Sequence, residues 1–169
     1  MNTLSKDKKQ TYYALFIINF GITLLLMIGI FHFSAQPAPK SQQLSDGVVY
    51  YAIALFEKLV PNITFDTASF IVRKAAHMSE YLLLGFFWSQ TVISLNKLHN
   101  HIRQIKTGFF RIFLSSWSIP VLYAISDEVH QSFVPGRSCE LRDMCIDACG
   151  ALIGVLLSLA FQHKHTLGR

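Results

Sequence analysis

Long apolar runs dominate this chain, and short charged segments separate them. The stretch Tyr12 to Phe33, YYALFIINFGITLLLMIGIFHF, contains no acid, lysine or arginine. Comparable runs cover about Ala75 to Leu95, Phe109 to Ser126 and Met144 to Phe161. Crossing ~30 Å of hydrocarbon takes about 20 helical residues, so four spanning helices are expected, at about 12–33, 75–95, 109–126 and 144–161. Pro120 falls inside the third run, where its missing N–H predicts a kink. The first run exceeds the ~7–15 apolar residues of a signal peptide, and no small-x-small site follows it cleanly. It is read as a retained anchor.

A fifth segment, LSDGVVYYAIALFEKLV at about 44–60, behaves differently. Its unbroken apolar part, Val48 to Phe56, is too short to span. Leu44, Val48, Ala52, Leu55 and Leu59 recur at helical spacing with Asp46, Glu57 and Lys58 nearby, which predicts an amphipathic helix lying in the membrane interface. The expected fold class is therefore all-α: a bundle of four transmembrane helices plus a short extracytoplasmic interfacial helix. One membrane domain over residues 12–161 would lie between a short flank at 1–11 and a tail at 162–169.

Lysine and arginine orient the bundle. Lys6, Lys8 and Lys9 precede the first run, and Lys97, Arg103, Lys106 and Arg111 cluster between the second and third. Lys164 and Arg169 lie in the tail. Four spans bring all three basic segments, and with them both termini, to the cytoplasmic side of a bacterial cell membrane, as the positive-inside rule requires. A fifth span would send the basic connection outward. Nine of the ten acids, all but Asp7, then fall on the outer side or in the outer half of a span.

Composition agrees with a membrane protein: 51% of residues are hydrophobic and 15% charged, against about 25% charged in soluble domains. The net charge of +5 resides in flanks beside apolar runs and forms no basic patch, so nucleic acid is not an expected partner. The bilayer is. Cys139, Cys145 and Cys149 show no CxxC spacing and imply neither a disulfide framework nor a zinc ribbon. Cys145 and Cys149, one turn apart, are read as small packing residues.

The chemistry gathers at the outer face. The second span begins with RKAAHMSEY, in which Lys74, His77 and Tyr81 share one helical face and Glu80 lies beside His77. The third ends in Asp127, Glu128, His130 and Gln131; Pro135-Gly136 then predicts a tight turn, followed directly by Arg137. The fourth opens with Asp143 and, one turn deeper, Asp147. Ionisable groups at this depth cost roughly 2.5–3.5 kcal/mol each unless paired or hydrated. One reading is a structural ion network in which Lys74 and Arg137 pair with Asp127, Glu128 and Asp143. The other is a ligand pocket. Tyr81 and Trp88 taken singly read as packing or interface aromatics.

These segments, KAAHMSEYLLLG, SDEVHQSFVPGRSCELRDMCIDACGALIG and HFSAQPAPKS, resemble the VanZ-like family of small bacterial membrane proteins over about Phe33 to Gly154. Its motifs K-x-x-H-x-x-E-Y, D-E-x-x-Q and P-G-R are matched by Lys74, His77, Glu80, Tyr81, Asp127, Glu128, Gln131, Pro135, Gly136 and Arg137, and Asp143 matches a further position. The family usually carries asparagine where this chain has Asp147, and small or hydroxyl residues where it has Cys139. The resemblance implies a cell-envelope setting associated with tolerance of the glycopeptide teicoplanin. It implies no particular reaction.

Two functions follow as expectations. In the first, Lys74, His77, Glu80, Tyr81, Asp127, Glu128, Gln131, Arg137, Asp143 and Asp147 bind a polar head group: a lipid-linked cell-wall precursor, a peptide stem or a glycopeptide. Arg137 and Lys74 would take carboxylate or phosphate. In the alternative, His77 and Glu80 facing Asp127 and Glu128 are the catalytic candidates of an intramembrane hydrolase or transferase. His and carboxylates are also suited to zinc, but neither HExxH nor GxSxG occurs, and no metal or cofactor is specified. A carrier would need a midplane site and inverted repeats, neither of which is apparent in this chain.

Overall fold

The structure, a computed structural model, describes residues 3–56, 63–103 and 107–167. The far end of the interfacial segment, residues 57–60, and the basic residues Lys106 and Arg169 lie outside them. Five helices follow in order: α1 (Thr3–Ser34), α2 (Ala38–Phe56), α3 (Phe65–Arg103), α4 (Phe109–Gln131) and α5 (Leu141–Leu167), with no strand among the described residues. The all-helical class is as expected. Three helices are long and apolar enough to cross a membrane, over Asp7–Ser34, Phe109–Gln131 and Leu141–Gln162. The longest helix, α3, is not among them; it carries His77, Glu80, Ser89 and Gln90 within the stretch expected to span.

Local chemistry sets the boundaries. Pro37 ends the α1 region, and its carbonyl accepts from the Lys40 and Ser41 N–H groups, so the residue that cannot continue one helix caps the next. Thr64 caps α3, its Oγ1 accepting from the Thr67 N–H at 3.3 Å. Glu140 starts α5 by accepting from the Asp143 and Met144 N–H groups. Helix α4 runs on as a helix through Pro120.

All four other helices pack on α3, and α5 comes so close that backbone meets backbone. A Cβ on Gly150 would collide with the Met78 carbonyl, one on Gly154 with the Leu82 carbonyl, and one on Gly85 with the Ala151 carbonyl. Glycines on both helices therefore form the seam, and the Gly150/Gly154 spacing read in the sequence is its α5 half. Beside the seam sits the core of Ile30, Tyr81, Leu84, Ala124 and Ala151. Three aromatic side chains tie α4 to its neighbours by donating to backbone carbonyls: Tyr123 Oη to Met27, Trp88 Nε1 to Ser115, and Trp117 Nε1 to Ala148. Trp88 is thus a packing aromatic with a satisfied N–H.

Much of the apolar surface points outward. Leu25 is 70% exposed and Phe110 72%, which suits hydrocarbon as the surrounding medium. Cys145 and Cys149 face outward as well; the small residues packed on α3 are glycine and alanine instead, because the seam leaves no room for a thiol. On α2, Val49 is the residue buried against the bundle, while Val48 and Leu55 of the expected apolar stripe are exposed.

Replacing Gly154 with alanine should cost about 1–3 kcal/mol by overpacking the seam. A Cβ added at Gly29 in α1 would meet nothing within 4 Å, so Gly29→Ala should be neutral or stabilising by up to about 1 kcal/mol. Thermal unfolding of the two purified variants in detergent measures the contrast.

Candidate functional site

The register that the glycine seam imposes brings the first turns of the apolar part of α3 against the start of α5. Lys74 forms an ion pair with Asp143. One turn deeper, His77 Nδ1 lies 4.0 Å from Asp147 Oδ1. Asp147 is fully buried, and neither of its carboxyl oxygens has a hydrogen-bond partner in the structure. Tyr81 is also fully buried, in the core.

The end of α4 is held by the α1–α2 corner. Asp127 Oδ2 accepts from Ser34 Oγ at 2.7 Å and from Gln131 Nε2 at 3.0 Å. Gln131 Oε1 in turn accepts from Arg137 Nη1 at 3.1 Å. Arg137 directs its other bonds to main chain: Nε to the Gln36 carbonyl at 2.9 Å and Nη2 to the Phe33 carbonyl at 3.3 Å. A cation on the Phe33 carbonyl at the end of α1 and on the Gln36 carbonyl just beyond it favours both those groups and the helix dipole. Arg137 therefore does not form the direct ion pair with Asp127 or Glu128 that the network reading expects. Burial pushes its guanidinium down from the usual arginine range, and the fields of Asp127 and Glu128 oppose that shift.

The turn that delivers Arg137 has Pro135 and Gly136 at its centre, closed by the Arg137 N–H on the Val134 carbonyl at 3.1 Å. Gly136 has φ 79°, the left-handed value a type II turn needs at this position. The Pro135 carbonyl also accepts from the Ala38 N–H at 3.3 Å, fastening the turn to the start of α2. Glu128 acts in a parallel way, its Oε2 accepting from the Glu140 N–H at 3.0 Å just before α5.

These elements enclose a cavity of about 480 Å³. Of the ten residues singled out in the sequence, Lys74, His77, Glu80, Gln131, Arg137 and Asp143 line it. Tyr81, Asp127, Glu128 and Asp147 do not; they are buried behind the wall and hold or adjoin residues that do. His130, of undecided role in the sequence, stacks on Phe31 at 4.5 Å between ring centres. Among the described residues no group of three or more His, Cys, Asp or Glu is arranged to hold a metal ion.

Sequence reasoning missed several polar residues of the cavity wall, Ser34, Arg73, Glu140 and Arg142 among them. Ser34 lies 93 residues from the Asp127 it bonds, and only its place in the HFSAQ segment marked it. Arg73 also lines the cavity. It directly precedes the K-x-x-H motif, and nothing in its spacing sets it apart from a flanking basic residue.

Arg137→Lys should destabilise the α1–α2 corner by about 1–2 kcal/mol, since one ammonium cannot replace three guanidinium donors aimed at separate acceptors. A lowered unfolding midpoint, with faster proteolysis between α1 and α2, is the expected measurement.

A family model described as VanZ/LLP1 matches residues 20–162. No curated protein and no solved structure matches the chain. The family match covers α1 from Phe20 onward and all of α2, α3 and α4 together with most of α5, including every residue of the cavity wall. On that extent of the chain, this protein belongs to the VanZ/LLP1 family.

Proposed function

We propose that this protein is a bacterial cell-envelope protein whose outer-face cavity binds a polar head group, contributing to tolerance of glycopeptides such as teicoplanin. The observation that carries this reading is the cavity wall: residues from the α1–α2 corner, α3, the α4–α5 turn and the start of α5 converge on one space of about 480 Å³. That volume lies within the ~300–1,000 Å³ typical of ligand pockets. A lipid-linked wall precursor, a peptide stem or a glycopeptide would present the carboxylates, phosphates and amides that such a wall can take. Membership of the VanZ/LLP1 family supports the envelope setting.

The accompanying topology has four spans, with α3 as the fourth and both termini cytoplasmic. Packing supports α3 as a span: its Arg73, Lys74, His77 and Glu80 turn toward α5 and the cavity, and all other helices pack on it. A helix sheltered in this way can cross with less lipid-facing apolar surface than one standing alone. Helix α2 would lie in the interface with Tyr51 and Leu55 outward, toward lipid.

A second reading, an intramembrane enzyme on a lipid-linked substrate, is favoured by the approach of His77 Nδ1 to Asp147 at 4.0 Å. A buried carboxylate behind an imidazole is a common arrangement for orienting a general base. Asp127 and Glu128 each commit one oxygen to a bond outside this pair, so Asp147 is the acid beside His77. Turnover of a supplied substrate by wild type and its loss in His77→Gln would favour this reading.

Alanine at His77 or Glu80 should leave the protein accumulating near the wild-type level while drug tolerance falls. Alanine at Asp127 should instead reduce accumulation, because Ser34 and Gln131 lose their shared acceptor. Minimum inhibitory concentration, read beside membrane abundance, separates the two; normal tolerance in a well-expressed His77→Ala strain would sink the cavity reading. For topology, in a Cys145→Ser, Cys149→Ser background, an impermeant thiol reagent on intact cells should label Cys139 and spare an Ile102→Cys variant.

A further inference from the structure

Most charged groups around the cavity already have a partner within the protein. Lys74 is held by Asp143. Arg142 pairs with Glu140 at 2.7 Å and lies over the Phe70 ring. Arg137 is occupied by two carbonyls and Gln131, with Asp127 bonded to that same glutamine. His77 faces Asp147. Two groups remain. Among the described residues, Arg73 and Glu80 have neither a side-chain hydrogen bond nor an ion pair, and both line the cavity.

Both belong to α3 and stand seven residues apart, close to two turns at 3.6 residues each, so they share a helical face about 10 Å apart along the axis. His77 lies between them on the same wall. Glu80 lies further along α3 than Arg73, toward Gly85 and the seam with α5.

We infer that the cavity takes an amphoteric ligand, its oxyanion received by Arg73 and its ammonium received by Glu80. This rests on the binding reading above and narrows it to a chemical class. A purely anionic ligand would satisfy Arg73 but bring negative charge toward an unpaired carboxylate. A purely cationic one would do the reverse. Only a ligand carrying both signs uses the two groups the protein leaves unpaired, and charge-assisted hydrogen bonds at both ends would fix its direction in the cavity. Val48 and Phe70 on the same wall give apolar contact for the part of the ligand between or beyond its charges.

The test uses the full chain purified in a neutral maltoside detergent and titrated by calorimetry with three probes. Dihexanoyl phosphatidylethanolamine carries phosphate and ammonium, dihexanoyl phosphatidic acid carries phosphate alone, and O-phosphorylethanolamine carries both a phosphate and an ammonium without acyl chains. Wild type should bind phosphatidylethanolamine about tenfold tighter than phosphatidic acid, the worth of one charge-assisted hydrogen bond. Arg73→Gln should weaken both lipids by about tenfold, whereas Glu80→Gln should erase the preference between them. Arg73→Lys, which keeps the charge, should retain the preference and guards against a folding defect in Arg73→Gln. Binding of O-phosphorylethanolamine comparable to that of the lipid assigns the ligand to a free zwitterion, and binding of the lipid alone assigns it to a membrane amphiphile. Equal or tighter binding of phosphatidic acid by wild type, or no change in Arg73→Gln, overturns the inference. Ser41→Trp, which fills the cavity from α2, separates the two levels. Full drug tolerance in that variant removes the binding reading itself; lost tolerance with unchanged binding in Arg73→Gln removes only the assignment of charges.

Discussion

The close approach of α3 and α5 is the constraint on which the rest of the protein depends. Gly85 on one helix and Gly150 and Gly154 on the other let each backbone enter the space a side chain would fill. In hydrocarbon there is little hydrophobic drive to press helices together, so close van der Waals packing of this kind carries much of the association. It also fixes the relative height of the two helices. Met78 opposite Gly150 and Leu82 opposite Gly154 leave Lys74 level with Asp143 and His77 level with Asp147. The charged end of the bundle is aligned from below, by residues with no charge.

Burying ionisable groups is made tolerable here by the partners that most of them have. The acids of α4 reach sideways: Asp127 to the end of α1 through Ser34, and Glu128 to the start of α5 through the Glu140 N–H. Arg137 returns the connection, laying its guanidinium on carbonyls at the end of α1 and just beyond it. Polar groups at the tips of the helices are thereby joined through one turn, which itself depends on Gly136 adopting φ 79°. The cavity is what remains inside this frame. Structural and functional readings of the charges are thus not rivals residue by residue, since the buried acids brace the wall from behind and the half-buried groups face the space.

Several features of the site could be read from the chain with no coordinates. The clustering of Lys74, His77 and Glu80 with Gln131, Arg137 and Asp143 followed from three alternating apolar runs whose charged ends fall at one face, and those six do line one cavity. Their partners were harder to read. Ser34 is a small hydroxyl at the end of a long apolar helix, and nothing local to it signals an acid 93 positions away. The role of Arg137 was legible as a cation near acids, yet its preference for main-chain carbonyls depends on where α1 stops. Cys145 and Cys149 misled because helical spacing identifies a face without saying which way the face points; both point outward.

By itself the sequence determined the helical class, the apolar runs and the segregation of nearly all acids to one end, because those properties follow from hydropathy and periodicity along a single chain. It also determined the tight turn, since proline followed by glycine restricts backbone angles locally. Only the tertiary structure decided which groups meet. The pairing of Lys74 with Asp143, and the placing of Arg73 and Glu80 together on one wall, depend on the height and rotation of α3 against its neighbours. Those are set by steric contact across the glycine seam, a relation between two helices that neither helix contains alone.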